Sequence, residues 1–375
     1  MKILFTGGGT AGHLLPIIAV SREIRRIYLK KEALEFYYIG PKDNFGEILL
    51  SQEGIKIKCI LTGKIRRYLD LKSFFQNLVD ILFKIPIGTL QAFFYIFFLA
   101  PDLVFSKGGY GSLPAIFAGF ILGVPIFLHE SDVSPGLANR IASRFASEIF
   151  VSFPAREIEY FPIKKMVSVG NPIRKEILEG SKKEAKKLFK LSGEKPVILI
   201  LGGSQGAARI NDLVLNILNE ILENFELIHQ CGEKNYKQIK AESKVVIKKD
   251  LEKYYHLFAF LREEEMKQAL AIADVIVSRA GSGIFEIAAC GKPSILIPLP
   301  EAAQDHQIKN AYSYAKNGAC LVLEEANLTP HFFLEKLKYL SSHPDELEKM
   351  AKRAKEFSKP EAARIIAEYI VNFSS

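Results

Sequence analysis

Two stretches of the sequence share one pattern and decide the fold: KILFTGGGTAGH at residues 2–13 and VILILGGSQGAARIN at residues 197–211. Each is typical of an apolar strand, a glycine-rich turn and the start of a helix, the opening unit of a nucleotide-binding α/β domain. A chain of 375 residues is long enough for two domains of ordinary size. The repeated pattern therefore predicts two Rossmann-like domains.

Outside these stretches, short apolar runs alternate with amphipathic ones along the whole chain. Most runs are continuously apolar, as strands covered on both faces are. The alternation predicts α/β architecture, with parallel sheets joined by helical crossovers. We place the strands at residues 2–6, 34–39, 102–105, 124–129, 148–152 and 166–169, and then at 197–201, 225–230, 257–261, 274–278, 294–298 and 320–323.

The segment VGNPIRKEI, residues 169–177, contains Gly-Asn-Pro, residues that favour turns and loops, and this predicts a linker. We expect an N-terminal domain at residues 1–168 and a C-terminal domain at residues 178–359. A last helical stretch, residues 360–375, could pack on either domain.

Composition narrows the class of protein. Hydrophobic residues make up 49% of the chain and charged residues 25%, which is typical of a globular protein. The four cysteines lie far apart, so we expect neither a disulfide framework nor a cysteine zinc site. We expect the protein in a reducing cytoplasm, since no export signal is recognisable. Residues 1–170 contain 20 Lys and Arg against 14 Asp and Glu. This excess indicates an anionic partner, with ordinary solubilising charge as an equal alternative, and no nucleic-acid-binding module is visible.

The first glycine loop, residues 7–13, is suited to an anion, because glycines let the backbone approach it and helix-start amides point at it. Residues 39–41 are Ile-Gly-Pro, so no acidic residue follows the second strand, and a nicotinamide enzyme is disfavoured. The helix dipole at His13 disfavours the imidazolium, and a neutral imidazole suits a general base acting on a hydroxyl. A histidine that only hydrogen-bonds the loop is an equal alternative.

Two more loops in the first half, residues 106–112 and 129–132, follow predicted strands on the side where open α/β sheets hold ligands. Glu130 and Asp132 are candidate acid–base groups or hydroxyl acceptors, and solvated loop carboxylates are the plain alternative.

In the second half, SRAGSG at residues 278–283 precedes a helix that carries Glu286, whose carboxylate suits the two hydroxyls of a ribose. A polar cluster at residues 304–310 suits sugar hydroxyls. Asp305 and His306 are adjacent and no helical histidine pair accompanies them, so we expect no metal site.

Taken in order, seven segments closely resemble one family, the undecaprenyldiphospho-muramoylpentapeptide β-N-acetylglucosaminyltransferases of bacterial cell-wall synthesis (the MurG family). They run collinearly from Gly8 to Ala311. The segments are GGTAGHLLP, SKGGYGSLPA, HESDVSPGLANR, GNPIR, LGGSQGAARIN, SRAGSGIFEIAACGKPSILIPLP and DHQIKNA.

The resemblance implies a GT-B fold, in which two Rossmann-like domains with parallel sheets face each other across a cleft. It implies inverting transfer of N-acetylglucosamine from UDP-N-acetylglucosamine to the muramoyl C4 hydroxyl of lipid I, which gives lipid II. It also implies a peripheral enzyme on the cytoplasmic face of the cell membrane, at an anionic surface, without a cofactor, a metal or a nucleic-acid partner.

By motif position, the resemblance assigns the ribose contact to Glu286, and we expect His13, or else Glu130, as the general base. Helix-start amides at Ser204 and Ser282, with Arg174, would stabilise the leaving UDP. The full set of expected substrate contacts is Thr10, Ala11, Gly12, Asp132, Arg174, Ser204, Leu261, Ser282, Glu286, His306 and Gln307.

Two departures from the family pattern affect this assignment. Asp132 stands where many members have asparagine, and the loop at residues 279–286 is one residue shorter than usual. The alternatives are another GT-B enzyme, such as a glycolipid glycosyltransferase or a UDP-N-acetylglucosamine 2-epimerase, and a non-catalytic subunit that binds sugar nucleotides.

Residues 61–100 mix basic and apolar side chains, which predicts docking on an anionic membrane. The uncharged run at 85–100 is 16 residues long, and a spanning helix needs roughly 20, so we expect no transmembrane helix. We expect residues 64–84 to be exposed and the chain from Phe93 onward to be buried.

Overall fold

The computed structural model describes residues 1–30, 33–64, 66, 71–203 and 206–374. The chain divides into two compact units. The first unit contains Met1–Arg174 and the chain from Pro360 onward, and the second contains Lys175–Lys359. The division falls inside the segment 169–177.

The first unit is built on a parallel sheet with the strand order β3-β2-β1-β4-β5-β6-β7 in the described residues. The chain builds outward from β1 in both directions, so the sheet has a topological switch point between β1 and β4. The strands are β1 Lys2–Thr6, β2 Glu35–Gly40, β3 Lys56–Cys59, β4 Leu103–Ser106, β5 Ile126–Glu130, β6 Glu148–Val151 and β7 Met166–Ser168.

Helices cover both faces of this sheet, and the last helix of the chain belongs to them. That helix, α16, packs on α1 and buries Ile366 and Ile370, while the ring of Phe373 lies 5.1 Å from that of Phe127. The helices of this unit are α1 Ala11–Ile27, α2 Asn44–Gln52, α3 Leu71–Val79, α4 Ile85–Leu99, α5 Leu113–Ile121, α6 Leu137–Ala142 and α16 Ala362–Phe373.

The second unit repeats the arrangement with the strand order β10-β9-β8-β11-β12-β13, and its switch point lies between β8 and β11. Its strands are β8 Val197–Leu201, β9 Glu226–Gln230, β10 Tyr255–Phe258, β11 Val275–Ser278, β12 Ser294–Leu296 and β13 Cys320–Val322. Its helices are α7 Lys182–Phe189, α8 Ala208–Asn216, α9 Leu218–Asn224, α10 Tyr236–Val246, α11 Glu263–Ile272, α12 Gly283–Ala289, α13 His306–Ala315, α14 Pro330–Ser342 and α15 Pro344–Phe357.

The expectation of two α/β domains with parallel sheets is confirmed. Every residue of β4, β5 and β8 is buried, as the continuous apolar runs predict for strands covered on both faces. One strand was missed: β3 lies at the edge of its sheet, and three of its four residues, in the sequence KIKC, are exposed. The strand expected at 257–261 begins two residues earlier, at Tyr255.

The apolar segment of the first unit forms one continuous helical run, in which a π-helical turn at Asp80–Lys84 joins α3 to α4. The part Ser73–Leu99 is, by length and composition alone, long enough and apolar enough to cross a membrane, and 17% of its most apolar stretch is buried. α4 packs against α5. The buried residues of α4 are Gly88, Ala92 and Ile96, a single stripe at helical spacing.

The expectation that the chain is buried from Phe93 onward is wrong. Phe94, Phe97 and Phe98 are 51%, 60% and 78% exposed. The physical reason is that α4 is covered on one side only, so its other sides stay open although nearly every residue is apolar.

Candidate active site

In the first unit, the glycine loops that follow β1 and β4 touch each other at the carboxyl edge of the sheet. Gly108 and Gly109 have φ values of +83° and +84°, which side chains rarely adopt. A Cβ on Gly109 would lie 3.1 Å from Gly8 Cα and 3.1 Å from His13 Nε2. Glycine is therefore needed at this position for both its conformation and its lack of a side chain.

His13 lies in the first turn of α1, next to Ala11 and Gly12, and its ring is oriented by Thr10. The two side chains share a hydrogen bond of 2.8 Å between Thr10 Oγ1 and His13 Nδ1. The Thr10 carbonyl also accepts the His13 N–H at 2.9 Å. When Nδ1 carries the proton and donates to Thr10, Nε2 has a lone pair, the form that a general base requires.

Glu130 is the last residue of β5 and is 4% exposed. Its Oε1 accepts the backbone N–H of Asp132 at 2.9 Å, and its Oε2 accepts the side-chain N–H of Asn139 at 2.7 Å. Burial, and then the charge of Asp132, raise the pKa of Glu130 to about 7, against the opposing effects of these hydrogen bonds and of Lys107. Glu130 can therefore exchange a proton near neutral pH.

Lys107, which follows β4, was missed by the sequence reasoning because its loop was considered only for its glycines. It is 2% exposed and donates a hydrogen bond to the Ser131 hydroxyl. Ser131 in turn donates to Asn171 Oδ1 at 2.9 Å. Burial lowers the pKa of Lys107 to about 8, opposed by the charges of Glu130 and Asp132. A lysine directly after a buried strand, at the edge where ligands bind, is the signal that could have found it.

The segment GNPIR, residues 170–174, packs into the first unit. Asn171 and Arg174 are 4% and 6% exposed, and the Gly170 carbonyl accepts a hydrogen bond of 3.0 Å with His129 Nε2. This segment is thus connected twice to the first unit, through His129 in β5 and through Ser131 in the loop after β5.

In the second unit, the glycine loop after β8 contains Gly203 and Gly206, whose φ values are +74° and +79°. Ser204, expected to contact the donor, lies outside the described residues. After β11, Gly281 and Gly283 face open space: apart from chain neighbours, no heavy atom of the described residues lies within 4 Å of the position of an added Cβ. A ligand can therefore approach the backbone here.

Ser282 and Glu286 lie at this same edge of the second unit. Ser282 immediately precedes α12 and Glu286 lies in it, and both are half-buried. Leu261, which follows β10, is buried, and its N–H donates to Gln230 Oε1 at 2.9 Å. A hydrogen bond to a ligand near Leu261 must therefore be donated by a group other than this N–H.

The first turn of α13 is connected to the loops after β11 and β12. Gln307 Oε1 accepts the Leu299 N–H at 3.0 Å, and Asn310 Nδ2 donates to the Ala280 carbonyl at 3.0 Å. His306 begins the helix, and Asp305 before it has a φ of +53°, a conformation that non-glycine residues rarely adopt. The connections bring His306 and Gln307 to the strand edge where Ser282 lies.

An ion-pair network that the sequence reasoning also missed supports this edge. Arg279 pairs with Glu325 and donates to the Ile297 carbonyl at 3.0 Å. Arg209 of α8 bridges Glu325 and Glu301, at 2.6 Å to each. The network connects the loops after β11, β12 and β13 to α8.

The chain matches the Glycosyltransferase family 28 N-terminal domain over residues 3–151 and the Glycosyltransferase family 28 C-terminal domain over residues 197–366. It is therefore a two-domain glycosyltransferase, and the expectation of an enzyme is confirmed.

Curated relatives define the family within this class. The chain is 39% identical over 341 residues to the UDP-N-acetylglucosamine–N-acetylmuramyl-(pentapeptide) pyrophosphoryl-undecaprenol N-acetylglucosamine transferase of Clostridium kluyveri, covering 90% of this chain and 91% of the relative. It is 38% identical over 371 residues to the second enzyme of that name in Bacillus thuringiensis subsp. konkukian, covering 98% and 99%. The chain belongs to this family of N-acetylglucosamine transferases, and the resemblance seen in the motifs is confirmed.

Solved structures agree with this assignment. The crystal structure of Acinetobacter baumannii MurG has a TM-score of 0.71 at 27% identity and covers 99% of both chains. The UDP-GlcNAc 2-epimerase from Neisseria meningitidis, at 17% identity, has a TM-score of 0.67 over 99% of this chain and shares the fold alone. The GT-B fold class is confirmed.

Proposed function

We propose that this protein transfers N-acetylglucosamine from UDP-N-acetylglucosamine to the muramoyl C4 hydroxyl of lipid I, with inversion, and so makes lipid II for peptidoglycan. The names of relatives that match over nine-tenths of their length support the substrates. The structural observation that carries the proposal is a pair of candidate bases at one sheet edge of the first unit: His13, packed against the glycine loops, and Glu130, held at the end of β5 by Asn139.

The first unit binds the acceptor in this proposal. His13 Nε2, or in its place a Glu130 carboxylate oxygen, removes the proton of the C4 hydroxyl as its oxygen attacks the anomeric carbon. The bond from that carbon to the UDP oxygen breaks in the same displacement, and UDP leaves with the electron pair. Attack from the face opposite UDP converts an α-linked donor into a β-linked product.

The second unit binds the donor. Glu286 accepts hydrogen bonds from the ribose, and His306 and Gln307 contact the sugar. The open backbone around Ser282 binds the diphosphate and stabilises the charge that develops on UDP. Because these groups supply positive potential, we expect the reaction to need neither a metal nor another cofactor.

The test is UDP release with donor and lipid I together, compared with donor alone. Release that requires lipid I, with a β-linked disaccharide as the product, supports the proposal. Conversion of the donor without acceptor would instead support an epimerase, the activity of a structural neighbour of the same fold. Donor binding without turnover would support a non-catalytic subunit.

We also propose that the first unit docks on the anionic cytoplasmic surface of the membrane through α3 and α4. Leu71, Phe74 and Phe75 are 78%, 62% and 60% exposed. An open groove of about 670 Å³ continues this apolar surface between α4 and α5. The groove is lined by Ile85, Pro86, Thr89, Leu90, Phe93, Phe117, Phe120 and Ile121. Apolar side chains of this kind can enter the headgroup boundary of a bilayer.

The basic side chains around this surface differ in how free they are to bind anionic lipid. Arg66 and Lys84 both pair with the buried Asp80, at 2.7 and 2.5 Å, so part of their charge is offset. Lys58 and Lys64 are exposed, and Lys58 Nζ lies 5.7 Å from the ring centre of Tyr95 in α4. Arg67 and the side chain of Lys72, which belong to the basic residues of the segment 61–100, lie outside the described residues.

Sedimentation with vesicles tests the docking. K58E/K64E should bind anionic vesicles more weakly, since each cation near the surface contributes about 1 kcal/mol, and salt should weaken the wild type in the same way. The matched control is K183E/K187E on the exposed face of α7 in the second unit, which should bind as the wild type does. Equal binding by both double variants would contradict electrostatic docking, and retention of the protein in membranes after alkaline extraction would indicate a spanning helix instead.

A further inference from the structure

The buried lysine beside the candidate bases has no assigned role in the reaction above. Lys107 is 2% exposed, and its hydrogen bond goes to the Ser131 hydroxyl, which donates to Asn171 at 2.9 Å. These hydrogen bonds join the end of β4, the loop after β5 and the segment 170–174. The free-energy cost of removing this ammonium group from water must be offset by nearby opposite charges or hydrogen bonds.

The compensation comes from two carboxylates on either side of Ser131: Glu130 at the end of β5 and Asp132 in the loop after it. Glu130 and Asp132 both attract the ammonium group, and they repel each other. His129, next to Glu130, is fully buried, and burial together with Lys107 holds its pKa well below the usual value, so it stays neutral. His13 is a further titratable side chain nearby: a Cβ on Gly109, two residues after Lys107, would lie 3.1 Å from its Nε2.

Two carboxylates that share a buried site cannot both ionise easily, and one of them takes up a proton unless a cation is present. An opposite charge within about 4–6 Å lowers the pKa of a carboxyl by about 1–3 units. Lys107 is a buried cation whose charge acts on Glu130.

We propose that Lys107 is a positioning residue for the transfer reaction: its ammonium group favours the carboxylate form of Glu130 beside Asp132 and holds Ser131 and Asn171 in one hydrogen-bonded chain. The proposal rests on the proposed function in one respect, that Glu130 acts on the acceptor hydroxyl. Lys107 itself is buried and does not touch the substrate.

The proposal predicts how the defect of a lysine variant depends on pH. Without the cation, Glu130 holds its proton to higher pH, so the acid limb of kcat/KM for the lipid acceptor should move to higher pH. A shift of one unit from a pKa of about 7 lowers the ionised fraction at pH 7 about fivefold. At pH 9 Glu130 is ionised in both proteins, so the rates should converge.

The variants separate charge from structure. K107M removes the charge and the hydrogen bond, K107Q removes the charge and keeps a donor, and S131A breaks the hydrogen-bonded chain while the charge remains. K107M and K107Q should move the acid limb, whereas S131A should leave it in place. The matched control is K292M in the second unit, where the lysine donates to the carbonyls of Ala271 and Ala273 at 2.8 and 2.9 Å.

A second measurement is independent of the reaction. The titration of Glu130 can be followed by infrared spectroscopy in wild type and in K107Q, without any substrate. Its carboxyl band is identified as the band that is absent in E130Q. A band that titrates at higher pH in K107Q supports the proposal even if lipid I is not the acceptor. An unmoved band, or a K107M rate lowered equally from pH 6 to pH 9, would overturn it, and failure of K107M to fold leaves the K107Q titration to decide.

Discussion

The hydroxyl of Thr10 and Nδ1 of His13 lie 2.8 Å apart, so a side chain of the glycine loop sets the orientation of the candidate base. The same loop brings Gly8 against the ring: a Cβ on Gly8 would lie 2.9 Å from His13 Nδ1. One face of the imidazole is therefore packed against backbone, and Nε2 points toward Gly109. This arrangement needs a hydrogen-bonding residue at position 10 and no side chain at position 8.

His13→Ala should lower turnover with lipid I by about 10²–10⁴-fold, the usual contribution of a general base, with little change in donor affinity. Thr10→Ala should have a smaller effect in the same direction, since the imidazole remains but loses its orientation, and Thr10→Ser should retain activity. Steady-state kinetics with intact lipid acceptor check this. A His13→Ala enzyme within a few-fold of wild type would make Glu130 the base.

Asp132 acts on Glu130 through its charge as well as through its backbone. We expect its side chain to accept a hydrogen bond from a substrate hydroxyl, a role in which asparagine keeps an acceptor oxygen and alanine does not. Asp132→Asn should therefore retain activity, and Asp132→Ala should lose much of it. Equal damage from both substitutions would mean that the negative charge itself is required.

The same Asp132→Asn substitution should also change the pH profile. The charge of Asp132 raises the pKa of Glu130, so its removal lowers that pKa and lets Glu130 ionise in more acidic solution. The acid limb of kcat/KM should move to lower pH, opposite to the shift expected for K107M. An acid limb that stays in place in Asp132→Asn would show that Glu130 does not control it.

Glu286→Ala should weaken binding of UDP-N-acetylglucosamine more than it lowers turnover at saturating donor. The loss of hydrogen bonds to a charged group costs about 1.5–3 kcal/mol, or roughly 10- to 150-fold in affinity. Calorimetric titration with UDP measures this directly. The control is Glu184→Ala on the exposed side of α7, which should bind UDP as the wild type does, and an unchanged affinity in Glu286→Ala would remove the ribose role.

The fold was predictable because its evidence is local. β4 and β8 are apolar runs followed by glycine-rich loops. Gly109 and Gly203 in these loops adopt left-handed backbone, which favours glycine. β3 was not predictable from apolar runs, because an exposed edge strand such as KIKC needs few apolar side chains.

The site was predictable only in part, because some of its connections are tertiary. The hydrogen bond of Ser131 to Asn171 joins residues 40 positions apart, and no local pattern indicates it. The outward face of α4 was not predictable for a different reason. A helix that is apolar all round has no period to show which side packs, so the exposure of Phe97 and Phe98 follows from α5 and not from the sequence of α4.

Gly88 is the residue that lets α4 lie close to the chain before α3. A Cβ on Gly88 would lie 1.9 Å from the carbonyl oxygen of Leu61 and 3.5 Å from Pro114 Cγ in α5. Since the nearer atom belongs to the backbone, Gly88→Ala must displace either the helix or the segment at Leu61. Overpacking of this kind costs about 1–3 kcal/mol.

Thermal unfolding should therefore show a lower Tm for Gly88→Ala, by about 2–4 °C per kcal/mol for a unit of this size. Gly136→Ala is the matched control in the same unit, because no heavy atom of the described residues, apart from chain neighbours, lies within 4 Å of its added Cβ. Because α4 carries the exposed Phe97 and Phe98, Gly88→Ala should also weaken vesicle binding, while Gly136→Ala should not. A Gly88→Ala protein as stable as wild type would mean that α4 is not held against Leu61 in solution.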